Sequence, residues 1–107
     1  MTDFPDIEPA LNDAELKEKL KNEIAPVAWE YLQILFARGV CICVSAELDM
    51  VEVAFQISRD NKALVEQWMN EGKLKQIQDH QAAEWFEANT ELVTAIVKPW
   101  ILVQEPA

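Results

Sequence analysis

Apolar residues recur at three- and four-residue spacing through the first third of the chain. Leu16, Leu20, Ile24, Val27, Tyr31 and Leu35 form one stripe, the mark of a helix with one face on a core. Asn12 suits an N-cap, Glu15 three residues on can close a capping box, and Leu11 and Leu16 can staple the entry. Arg38 complements the C-terminal dipole, and Gly39 suits the left-handed position after the last turn. Pro26 interrupts the stripe because it removes a backbone donor and crowds the preceding turn. The pattern predicts one long N-terminal helix kinked at Pro26, or two abutting helices.

The segment around residue 50 carries two periods at once. Asp49 and Glu52, flanked by Leu48 and Val53, repeat the cap, box and staple signature. That predicts a helix over residues 50–58. Val51, Val53, Phe55 and Ile57 also alternate with Glu52, Ala54, Gln56 and Ser58, as in a strand paired with residues 40–44. The capping signature favours the helix. Further on, Asp60 or Asn61 caps a helix whose Leu64, Val65, Trp68 and Met69 share a face, ended by Gly72. Residues 73–78 form a short connector, with an extended conformation as one option. Asp79 caps a helix carrying Ala82, Trp85 and Phe86. Residues 40–44 and 92–104 are strands by their β-branched content, and Pro99 marks an edge or a bulge in the last one. Together these elements predict an α+β fold: a long N-terminal helix, three shorter helices and a small, mainly antiparallel sheet.

Length and composition fit that picture. The chain has 107 residues, half of them hydrophobic, enough for one modest core. Residues 1–10 hold Asp3, Pro5, Asp6, Glu8 and Pro9 without periodicity and read as a flexible acidic tail; residues 11–107 read as a single globular domain. The formal net charge is −10, which repels phosphate backbones and anionic membrane surfaces alike. Neither nucleic acid nor membrane is an expected partner. The first residues lack a basic and an apolar region of the secretory kind, and no apolar run approaches a bilayer span. A cytoplasmic protein is expected.

Reactive side chains are scarce: one histidine and two cysteines accompany nineteen carboxylates. Cys41 and Cys43 point to one face of a strand and could hold a soft metal or cycle through redox states. They supply only two of the four ligands zinc usually takes, and His80 belongs to a different element. Packing as small buried hydrophobes explains them better. Asp49, Glu52 and Asp60 could bind a divalent cation or act as an acid/base pair, yet all three are accounted for at helix starts. No phosphate loop or nucleophile elbow occurs. No cofactor is expected.

Aromatic and aliphatic residues carry the stronger signal. Trp29 and Phe36 project opposite the stripe of Leu20, Val27 and Tyr31. Val40, Ile42 and Val44 oppose Cys41 and Cys43, while Ile96, Trp100 and Leu102 oppose Val93, Val97 and Ile101. Two-sided apolar strands lie between two layers, and a short chain strains to supply three layers alone. Self-association follows as an expectation.

Ala37-Arg38-Gly39-Val40, residues 47–54, Arg59-Asp60-Asn61, Val65-Glu66-Gln67-Trp68, Gln81-Ala82-Ala83-Glu84-Trp85 and residues 97–104 form a set. Taken together they resemble a family of small bacterial proteins catalogued as domain-of-unknown-function family 2288. The resemblance covers about residues 16–105 and implies a free-standing bacterial cytoplasmic protein. It implies no activity, ligand or catalytic residue, and Pro26 departs from the plain helix expected of such sequences. The function expected from all this is a non-catalytic protein-interaction module, a homodimer, with Trp29, Phe36 and Trp100 as contact residues. The alternative is a small-ligand or metal-binding protein, or a carboxylate enzyme, using Cys41 and Cys43 or Asp49, Glu52 and Asp60.

Overall fold

The computed structural model describes residues 11–106; the acidic segment 1–10 lies outside the described residues. The elements in order are α1 (Asp13–Glu23), β1 (Ala25–Ala28), α2 (Trp29–Ala37), β2 (Cys41–Val44), α3 (Met50–Ser58), α4 (Lys62–Asn70), β3 (Leu74–Gln76), α5 (Asp79–Ala88), β4 (Glu91–Val97) and β5 (Trp100–Gln104). This is the expected α+β class, with one sheet ordered β1-β4-β5-β2-β3. The β2–β5 pair is parallel and the other pairs are antiparallel.

The N-terminal helix opens as its sequence demands. Asn12 Oδ1 accepts from the Glu15 amide at 2.8 Å, and the Glu15 carboxylate accepts from the Asn12 amide at 3.0 Å. The helix is nevertheless only 11 residues long, which corrects the long-helix expectation. Ile24 is extended, and the residue ahead of Pro26 is pushed the same way by the ring. Pro26 then sits on β1, an edge strand paired only with β4, where a missing donor costs little. Trp29 restarts the chain as a helix, its amide donating to the Thr90 carbonyl at 2.9 Å. Gly39 and Gly72 follow α2 and α4 with φ of +77° and +75°, as left-handed helix ends require.

Residues 50–58 are helical, but the second capping box does not form. Asp49 stands at the N-cap without a side-chain cap bond, and the Glu52 carboxylate turns to Gln56 and Lys17 instead. Asn61 caps α4 by accepting from the Leu64 amide, while Asp60 takes a left-handed backbone in the turn before it. Asp79 is the first residue of α5 and makes no cap bond; the N-cap position is Gln78. Part of the connector after Gly72 is β3, the second edge strand.

The last apolar stretch is two strands rather than one. The chain reverses at Lys98–Pro99, so Val97 pairs with Trp100, Ile96 with Ile101 and Ala95 with Leu102. Directly paired residues share a face. The reversal therefore puts Ile96 beside Ile101 and moves Val97 to the side of Trp100 and Leu102, exchanging partners relative to a continuous strand.

Helices cover both faces of the sheet. On one face Leu16 and Leu20 of α1 with Ile24 just after it, Met50, Val53 and Ala54 of α3, and Leu64 and Trp68 of α4 pack on Val44, Ala95, Val97 and Leu102. On the other, Trp29 and Leu32 of α2 and Ala82 and Trp85 of α5 pack on Cys41, Leu92, Ile101 and Val103. A single chain thus builds all three layers, and the strain argued for self-association loses that premise. Among the described residues no helix is long and apolar enough to cross a membrane.

Candidate functional site

The first helical layer leaves a gap. Residues of the end of α3, of α4 and of the strands β2, β3 and β5 line a cavity of about 410 Å³. Ile42, Leu74, Gln76 and Trp100 form its floor. Val65 and Met69 of α4 and Ile57 of α3 line its other side, and Asp60, Asn61, Lys62, Glu66 and Lys75 also border it. The size falls in the range of ligand clefts, and the apolar lining with a polar rim is their usual character. Trp100 is 39 % exposed and Met69 57 % exposed, so both present apolar surface at the groove.

Helical spacing creates this gap. Leu64, Val65, Trp68 and Met69 span too wide an arc for one line of contact, since adjacent residues differ by roughly 100° around the axis. Trp68 takes the core with Leu64 and Val65 partly buried against it, leaving Met69 exposed at the helix flank. That width was the available signal for Val65 and Met69, although periodicity alone assigns all four to a single buried face.

The contact residues expected from sequence separate. Trp29 is only 2 % exposed, with its ring 5.4 Å from Trp85 and 5.6 Å from Phe36. It belongs to the second core and is not available to a partner. Phe36 packs partly buried against the same cluster. Trp100 alone reaches the groove.

Nor do the carboxylates form a set. Asp49 and Asp60 flank opposite ends of the nine-residue α3, about 15 Å apart along its axis at 1.5 Å per residue. Glu52 is held below the usual carboxylate range, first by the Gln56 amide at 2.7 Å and then by Lys17 at 3.1 Å. Of the three, only Asp60 lines the groove. No cluster of three or more His, Cys, Asp or Glu that could hold a metal occurs among the described residues. No buried side-chain nitrogen or oxygen among them lacks a hydrogen-bond partner; Thr94, buried in the sheet, donates to the Leu92 carbonyl.

The thiols lie on the opposite face of β2. Cys41 is buried and its thiol is pushed up to about 11 by desolvation. Burial also raises Cys43, with Lys75 opposing and Glu105 adding to the shift. The fold brings Cys43 and His80 to the walls of one hollow of about 50 Å³, although they sit on different elements. Both thiols are protonated at neutral pH, the opposite of an activated nucleophile. Raising Cys41 from 9.0 to about 11 cuts its thiolate fraction at pH 8 about a hundredfold. In native protein treated with iodoacetamide at pH 8, Cys41 is therefore expected to stay unlabelled until urea unfolds the chain. Rapid native labelling, read by peptide mass spectrometry, would show an activated thiol instead.

Comparison with known proteins fits the geometry without adding chemistry. A family model described as "Protein of unknown function (DUF2288)" matches residues 15–105, from α1 through β5. The chain is similar to PA1075 from Pseudomonas aeruginosa, known from an NMR solution structure. The identity is 37 % with a TM-score of 0.75, covering 86 % of this chain and 85 % of that one. No curated protein matches.

Proposed function

The chain belongs to the DUF2288 family of proteins of unknown function, and from its groove we propose a non-catalytic protein-interaction module. The groove between α4 and the sheet docks an apolar segment of a partner protein, with Ile42, Val65, Met69 and Trp100 as its contacts. One observation carries this reading: large apolar side chains, Met69 and Trp100, stay exposed around a cavity of about 410 Å³. Exposed apolar concavities with charged rims are where proteins meet partners. The carboxylate-enzyme and metal readings lack such support, because Asp49, Glu52 and Asp60 do not converge. The homodimer is part of the proposal on separate grounds: α2 and α5 turn Tyr31, Ile34 and Phe86 outward.

Affinity purification from the cells that make the protein tests both parts. Met69→Asp is expected to reduce capture of the partner at least tenfold while the protein stays dimeric; Phe86→Asp is expected to yield monomer and keep the partner. A wild-type light-scattering mass of 12.2 kDa at micromolar concentration would overturn the dimer. Identical captured sets for wild type and Met69→Asp, or near-stoichiometric bound metal by elemental analysis, would overturn the docking role.

A further inference from the structure

We infer that Glu52 and Gln56 position the groove from outside it: with Lys17 and Asn61 they form a polar relay that runs from α1 across α3 and fixes the start of α4. The inference rests on the docking reading above, and it gives a hold on the groove to residues that do not line it. The relay is continuous. The Lys17 ammonium lies 3.1 Å from one Glu52 oxygen, and the Gln56 side-chain amide donates to the other at 2.7 Å. The Asn61 side-chain amide donates to Gln56 Oε1 at 2.8 Å, and Asn61 Oδ1 accepts from the Leu64 backbone amide at 3.3 Å.

Its direction is imposed from both ends. An ionised carboxylate only accepts hydrogen bonds and a backbone N–H only donates. Glu52 therefore takes the NH2 side of Gln56, which leaves Oε1 for Asn61. Asn61 then gives its NH2 to Gln56 and keeps Oδ1 for the helix start. Turning either amide over sets donor against donor and acceptor against acceptor. The two amides are thus a two-state element of the kind that can couple distant sites, and the charge on Glu52 selects the state in which α4 is capped.

The surroundings keep that charge in place. Gln56 first and Lys17 second hold the Glu52 carboxyl below the usual range. Lys17 is itself held, its ammonium 4.7 Å from the centre of the Phe55 ring, an attractive contact in its own right. At the other end the cap matters to the groove. The first amides of a helix have no partner within it, and Asn61, Lys62, Val65 and Glu66, the cap and opening residues of α4, all border the groove.

Amide hydrogen exchange and NMR on the full chain test the relay. Glu52→Ala is expected to speed exchange at the Leu64 amide about fivefold, the usual worth of an N-cap, and to move the Asn61 side-chain amide and Trp100 indole resonances. Asp49→Ala, at the start of the same helix but without a cap bond, is expected to move none of them. The decisive background is Asn61→Asp. Aspartate still caps a helix but has no NH2 to give Gln56, so adding Glu52→Ala there is expected to leave Leu64 exchange unchanged. The same acceleration in both backgrounds would show α3 loosening as a whole, and no acceleration in either would show no coupling; each overturns the relay. The protein captured through Met69 is expected to bind Glu52→Ala more weakly by about the same factor, and unchanged affinity would overturn the positioning role. Should Met69→Asp lose that partner while Leu64 exchange ignores Glu52→Ala, docking stands and the relay falls. If the exchange pattern appears but Met69→Asp captures the wild-type set, the relay stands and the docking role falls.

Discussion

Trp29→Ala is expected to lower the unfolding free energy by about 3–5 kcal/mol, read from the urea midpoint at unchanged slope. Trp29 is the point where β1 becomes α2, and its ring lies against Trp85 and Phe36. An aromatic contact of this kind adds about 0.5–1.5 kcal/mol beyond the area it buries. Removing the indole leaves a cavity between α2, α5 and the sheet that the Thr90-bound backbone at residue 29 cannot readily collapse to fill. Trp100→Ala is the control, since that side chain is partly in water; it should cost under about 1.5 kcal/mol while weakening partner capture. The opposite pattern, with Trp29→Ala leaving stability intact and abolishing association, would return Trp29 to the interface.

Leu102→Ala is expected to cost about 2–5 kcal/mol and to lower the melting temperature by on the order of 10–25 °C. Leu102 is 0 % exposed on β5, which is hydrogen-bonded to β4 on one side and β2 on the other. Val44, Val53 and Ala95 belong to the same cluster. Ile96→Ala belongs beside it as a test of the hairpin. A continuous strand over residues 92–104 would put Ile96 and Leu102 on one face with similar burial. The reversal at Lys98–Pro99 separates them, leaving Ile96 60 % exposed, so its loss should cost under about 1 kcal/mol. Equal losses for the two variants would show the pairing to be misassigned.

The two tryptophans show how far local pattern reaches. Both look like surplus apolar surface in the sequence, because periodicity records which residues are apolar but not which layer will arrive to cover them. Trp29 is covered by α5, an element some fifty residues further along the chain. Trp100 is left at the groove because α4 packs through Leu64 and Trp68. The capping side chains are easier. Asn12 and Glu15 close their box through atoms three residues apart, and no distant element is needed to form it. Glu52 has the same local opportunity at Asp49 but is held by Gln56 one turn on and by Lys17 of α1, and only helix packing could bring Lys17 near.

By itself the sequence determined the mixed class, most helix limits, the left-handed turns at Gly39 and Gly72 and the scarcity of reactive groups. These depend on propensities and bonds spanning a few residues, which are present in the chain before it folds. Tertiary structure decided that Pro26 lies in an edge strand, that residues 91–104 double back, that helices blanket both sheet faces and that one apolar groove stays open. Each of these depends on which distant surface arrives to bury a given side chain, and a linear pattern of apolar positions does not encode that choice.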